Sequence, residues 1–129
     1  MNPGDTFEPR EYAITRADLV AYADASGDHN PIHQDDEVAR SVGLPGVIAH
    51  GMYTMALLAR AVSDWTGRAD VVELGCKFTN PVVVPAEGTV LVRVAGSVKK
   101  VEDGLATLAL EVTCEGTKVL GMPKAVVRV

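Results

Sequence analysis

Residues 51–67 read GMYTMALLARAVSDWTG, and the reading of this stretch decides the fold. Met52, Met55, Ala56, Ala59 and Val62 recur at helical spacing and predict one apolar face. Leu57, Leu58 and Ala61 widen that face well beyond a stripe. A helix that is apolar nearly all round needs cover on most sides, so a central, buried helix is expected.

The cover follows in the chain. Val72, Leu74, Cys76 and Phe78 alternate with Glu73, Gly75, Lys77 and Thr79, the two-residue period of a strand. That period returns in Val90, Val92, Val94, Gly96 and Val98, and again in Ala106, Leu108, Leu110, Val112 and Cys114. Asp103-Gly104 and Glu115-Gly116 sit between these runs, where hairpin turns belong. A last strand is expected over residues 119–129, bulged or at a sheet edge because Pro123 has no N–H for a ladder. Antiparallel strands joined by short hairpins can curl around one apolar helix and bury it. The expected class is therefore α+β, a curved antiparallel sheet wrapped around a long central helix. Joining open sheet edges across a two-fold axis would protect them, so a dimer is expected.

Upstream of residue 51 the chain reads as helices and loops after a short strand near residues 7–14. Thr15 and Asp18 resemble a capping box, with Asp where Glu or Gln is usual, ahead of Leu19, Val20, Tyr22 and Ala23. Gly27 is placed to end that helix. Asp35, Asp36 and Glu37 favour a second, short helix through its dipole, ending near Gly43. GLPGVIAHG then forms a turn-rich connector.

Composition narrows the function classes. The 129 residues suit a single domain, 1–129, with 47% hydrophobic and 22% charged residues. No apolar run reaches the roughly 18 residues that a membrane span needs. The polar start MNPGDTFEPREY argues against a signal peptide. Cys76 and Cys114 share no CxxC spacing and read as two buried thiols in a reducing cytoplasm. A net charge of −5 argues against nucleic acid. The adjacent pair Lys99 and Lys100 reads as a solvated hairpin end before a phosphate or carrier contact.

Chemistry concentrates in SGDHNPIH, residues 26–33, which holds two of the chain's 3 histidines. Pro31 disfavours helical dihedrals at Asn30, so Asp28, His29 and Asn30 belong to an irregular loop. The plainest reading is a helix-terminating turn, with Asp28 and Asn30 bonding local amides. A metal reading would collect Asp28, His29, His33, His50 and Asp35, but neither HxxxH on a helix nor paired cysteines support it. The acid–base reading makes Asp28 and His33 converging proton-transfer groups. There is no serine elbow or activated cysteine, so hydration, dehydration or isomerisation remain. Downstream, AHGMYTM places His50, Gly51 and Met52 at the start of the apolar helix, where free N–H groups can polarise a thioester carbonyl. A plain helix N-cap is the alternative for Gly51.

YADASGDHNPIHQDDEVARSVGLPGVIAHGMYTMAL resembles the signature of the MaoC-like (R)-specific enoyl-thioester hydratases and dehydratases. The pattern runs from an aromatic residue through SGDxNPxH and a later alanine to AHGM, over about residues 20–58. Among relatives it is most similar to the small dehydratase subunits of actinobacterial type-II fatty acid synthesis, which act on (3R)-hydroxyacyl carrier protein. The resemblance implies a hotdog fold with an acyl tunnel along a dimer interface. It implies Asp28 and His33 as the catalytic dyad, Asn30 as a holder of the dyad and its water, and the Gly51 amide as donor to the thioester carbonyl. It implies no role for His29, leaves His50 unassigned, and implies no cofactor and no metal. The implied reaction is reversible addition of water to an enoyl thioester of CoA or acyl carrier protein in fatty acid metabolism. The alternatives are a subunit that needs a hotdog paralogue as heterodimer partner, and a hotdog thioesterase.

Overall fold

A computed structural model describes residues 1–129. Strand β1 (Arg10–Ile14) leads into α1 (Arg16–Ser26), the short α2 (Asp36–Ser41) and the long α3 (Gly51–Trp65). Four strands follow: β2 (Val71–Phe78), β3 (Val90–Glu102), β4 (Leu105–Cys114) and β5 (Thr117–Arg128). They form one antiparallel sheet in the order β1-β3-β4-β5-β2.

The two hairpins fall where the sequence places them. Asp103 and Gly104, and likewise Glu115 and Gly116, all adopt positive φ, the conformation of a two-residue type I′ turn. The twist of such a turn matches that of the strands it joins, so β3, β4 and β5 stack in sequence order. Their alternate residues Val92, Val94, Leu108, Val112 and Val127 then share one inner face with α3.

On α3 the buried residues are Thr54, Leu57, Leu58, Ala61 and Val62. This corrects the expected apolar face: Met52 is exposed, and Met55 and Ala59 are only half-buried. A single layer of sheet covers a single side of a helix. The expected cover on most sides is therefore absent within one chain, and an apolar stripe looks outward.

β2 shows a related departure. Its alternation is real, yet Val72 and Phe78 are exposed and Leu74 and Cys76 half-buried, because β2 is an edge strand paired only to β5. β5 itself is not an edge, which corrects one of the two options for Pro123. The other option holds. Gly75 pairs with Lys124 and Lys77 with Gly121, so Met122 and Pro123 bulge out of the ladder where no N–H is required.

Leu58 is fully buried against this inner face. Leu58→Ala is expected to lower the unfolding free energy by about 2–5 kcal/mol, the usual range for an emptied core leucine. Urea denaturation followed by circular dichroism checks this; a loss below about 0.5 kcal/mol would show that α3 does not pack as described.

Candidate active site

Both ends of the SGDHNPIH loop are anchored by local chemistry. Thr15 and Asp18 close a reciprocal capping box that starts α1, and Gly27 ends it in the left-handed conformation. Residues 31–33 then form one 3₁₀ turn, with Pro31 at its first position. Between them the Asx bonds of the plainest reading are formed. The Asn30 N–H donates to Asp28 Oδ1 (3.2 Å), and the Ile32 N–H donates to Asn30 Oδ1 (3.2 Å). Turn and site are the same object, because these bonds aim the second carboxylate oxygen, Oδ2, at His33.

Asp28 Oδ2 lies 3.9 Å from His33 Nε2, with the aspartate half exposed and the histidine buried. That is too long for a direct hydrogen bond and suits two groups that share one small molecule. His33 Nδ1 sits 2.7 Å from the carbonyl oxygen of Ile48. A carbonyl only accepts, so Nδ1 carries a proton, and Nε2 is the ring nitrogen turned toward Asp28.

His50 occupies the N-cap of α3, and its side chain caps nothing. Tyr53 and Thr54 N–H groups bond back to the His50 carbonyl, while those of Gly51 and Met52 take no acceptor. The helix therefore presents two free donors at its positive end. A Cβ at Gly51 would stand 3.1 Å from the Phe78 ring, so glycine admits the close packing of that ring on the helix start.

Two cavities meet at Gly51 and Phe78. One of about 300 Å³ is lined by His33, Ala49, Thr54, Val82 and Leu120, mostly apolar walls with the imidazole among them. The other, about 380 Å³, is lined by Tyr22, Ser26, Asp28, His50 and Met52. The expected residues Asp28, His33 and Gly51 are thus brought together. The Asn30 side chain instead caps the 3₁₀ turn, and its contribution to the pair is the backbone N–H on Asp28. His29 is exposed.

Sequence reasoning missed Phe78, which looked like an inward strand residue and which nothing in its spacing marks. Tyr22, which looked like helix core, is also the aromatic residue that opens the family pattern. For His50 the signal was present in AHGM, but its partners lie at Asp28, 22 residues away, and in the His33 ring.

Asp28, His33 and His50 also offer ligand atoms within 4.8 Å of one another. The two rings lie face to face, 3.8 Å apart and 22° from parallel, so their in-plane lone pairs run side by side. Tetrahedral ligands must converge on one point, which two stacked, near-parallel rings do not do. His29 stands exposed, and Asp35 caps α2 through the N–H groups of Glu37 and Val38. The donor set fits proton transfer better than a cation. Burial raises the thiols of Cys76 and Cys114, which makes both poor nucleophiles.

Comparison with known proteins identifies the family of this chain. The family model described as MaoC like domain matches residues 1–118. The chain is 43% identical over 74 residues to 3-hydroxyacyl-thioester dehydratase X of Mycobacterium tuberculosis, covering 57% of this chain and 25% of that protein. It is 36% identical over 70 residues to the mitochondrial 3-hydroxyacyl-[acyl-carrier-protein] dehydratase of Arabidopsis thaliana, covering 54% of this chain and 42% of that one. The chain thus spans less than half the length of either curated relative. A solved MaoC-like dehydratase superposes with a TM-score of 0.95 at 34% identity, over 99% of this chain and 40% of its own. The fold is accordingly the hotdog fold.

Asp36 holds the connector that leads to Gly51. Its Oδ1 accepts from the Val47 N–H (3.0 Å) and from Arg16 Nη2 (2.8 Å), and Arg16 Nε donates to the Val84 carbonyl (2.8 Å). The Val47 bond, then the Arg16 bond, hold the Asp36 carboxyl below its ordinary value of 3.8. A carboxyl depressed on folding binds fewer protons in the folded state, so its stabilisation is present above 3.8 and lost as pH falls below it. Asp36→Asn is expected to melt below wild type at pH 7, with the gap closing as the pH drops under about 3.8. Thermal melts at a series of pH values check this, and a pH-independent gap would contradict it.

Proposed function

The chain belongs to the MaoC-like domain family, and from that membership we propose that it is an (R)-specific enoyl-thioester hydratase and (3R)-hydroxyacyl-thioester dehydratase. Its substrates are acyl thioesters of CoA or acyl carrier protein in cytoplasmic fatty acid metabolism. The observation that carries this reading is His33 Nε2 facing Asp28 Oδ2 at 3.9 Å, beside two uncommitted helix N–H donors. General acid–base groups beside an oxyanion site suit proton transfer next to a carbonyl.

The enoyl chain lies in the apolar cavity, its thioester oxygen on the Gly51 N–H. One water bridges Asp28 Oδ2 and His33 Nε2. Its oxygen adds to C3, the pair takes the proton it loses, and the pair delivers one proton to C2. One water O–H bond and the C2–C3 π bond break, one C–O and one C–H bond form, and the pair ends as it began. In reverse, the pair removes the C2 proton and protonates the leaving hydroxyl.

The protein works as a dimer, with itself or with a hotdog paralogue. The open edge of β2 and the outward stripe of Met52, Met55 and Ala59 support this, because both leave surface that a second sheet and helix can cover. Phe78 and Met52 would then line the mouth of a longer tunnel.

Loss of enoyl absorbance from crotonyl-CoA in water tests the activity, with carrier-protein thioesters and a co-expressed paralogue as further arms. Asp28→Asn and His33→Asn are each expected to lower turnover by about 10²–10⁴-fold. The side-chain amide introduced by His33→Asn keeps a donor for the Ile48 carbonyl, so the fold should persist by circular dichroism. Near-full activity in either variant would remove that residue from the dyad.

Gly51→Pro tests the amide separately. Proline is favoured at a first helical position, and His50 already has the extended backbone (φ −58°, ψ 135°) that a following proline requires. The substitution deletes the N–H, and the exposed Phe78 ring can give way. A fall in kcat of about 10²–10³-fold in a folded protein is expected, and unchanged kcat would show that the carbonyl binds elsewhere.

A further inference from the structure

His50 is the buried titratable group that this mechanism does not use, and its surroundings define a task for it. It is 2% exposed, stacked on His33 at 3.8 Å, and met edge-on by Tyr22 at 4.7 Å. Its Nε2 lies 3.1 Å from the main-chain carbonyl oxygen of Asp28. Because that carbonyl only accepts, Nε2 carries the proton and donates. Nδ1 is then an unprotonated nitrogen in the neutral ring, buried and without a partner. A phenyl ring would fill the same space without an orphaned nitrogen, so packing does not call for histidine here. The Nε2 donor does.

Within residues 26–30 the other bonds are local. The Asp28 N–H donates to Ser26 Oγ, and the Asn30 N–H donates to Asp28 Oδ1, each spanning two residues. Such bonds shape the loop without fixing where it lies relative to the rest of the molecule. The His50 bond spans 22 residues and ties the loop to the start of the central helix. The same imidazole forms the shelf under His33, whose Nδ1 is held by Ile48 two residues before His50.

We infer that His50 is a positioning residue that sets the distance between Asp28 and His33, one ring fixing the backbone of the first and the plane of the second. This rests on the hydratase reading for its kinetic consequence, but the clamp itself is a property of the fold. A misplacement of about 1 Å at a reacting pair can lower a rate by about 100-fold, so the clamp should act on kcat more than on substrate binding.

Two variants separate donor from ring. In His50→Gln the side-chain amide nitrogen is as many bonds from Cα as Nε2 is and can donate to the Asp28 carbonyl. His50→Phe keeps the stacked ring and loses the donor. Kinetics with crotonyl-CoA are paired with amide hydrogen exchange of residues 27–33. The expected result is His50→Gln within about threefold of wild-type kcat and His50→Phe reduced at least about tenfold, with KM within about twofold in both. Exchange in the loop should rise in His50→Phe alone. Wild-type kcat in His50→Phe, equal losses in both variants, or unchanged loop exchange in His50→Phe would each overturn the inference. If wild type is inert toward every enoyl thioester while the exchange pattern appears as expected, the clamp stands and the hydratase reading falls.

Discussion

Residues 47–49 form the constraint on which the site depends, because nearly every backbone polar group in this short segment is spoken for by a different element. The Val47 N–H goes to Asp36 and the Val47 carbonyl accepts from Val84. The Ile48 N–H goes to the Ile32 carbonyl, and the Ile48 carbonyl accepts from His33. The Ala49 N–H goes to Val82. A buried segment must satisfy these groups or lose stability, so the connector cannot shift without breaking several bonds together. Its rigidity passes directly to His50 and Gly51, the next residues, and through Ile48 to His33.

The arrangement of Asp28, His33 and Gly51 arises from ordinary solutions to local problems. A helix must end, so Gly27 turns left-handed. A proline must be accommodated, so Asn30 stays extended and caps a 3₁₀ turn. Asp28 then has one carboxylate oxygen used in the turn and the other free. α3 begins without a side-chain cap, which leaves N–H groups at its positive end for a bound carbonyl. Each choice has a structural reason, and they meet at one place, the candidate site.

The outward surfaces carry the opposite lesson. The sheet can shield one side of α3, and the other side remains apolar. β2 ends the sheet with an unpaired edge beside that stripe. The five-stranded sheet stays open at its edges, and the uncovered helix residues are the same ones whose helical periodicity suggests deep burial. Met52 and Met55 continue the apolar pattern onto the side of α3 that this chain's own sheet leaves uncovered.

Much was legible in the sequence where local physics decides. The two-residue period of β3 and β4, the positive-φ pairs at Asp103-Gly104 and Glu115-Gly116, and the Thr15–Asp18 box follow from backbone sterics and short-range hydrogen bonds. The nomination of Asp28, His33 and Gly51 came from their order around a proline and a helix start, joined to a family resemblance. Only the tertiary structure decided which face of α3 is buried, that β5 lies inside the sheet with Pro123 in a bulge, and that Phe78 packs on Gly51. It also decided that His50 reaches the Asp28 carbonyl and the His33 ring. These depend on contacts between residues distant in the chain, where spacing carries no information and the packing of whole elements sets the partner.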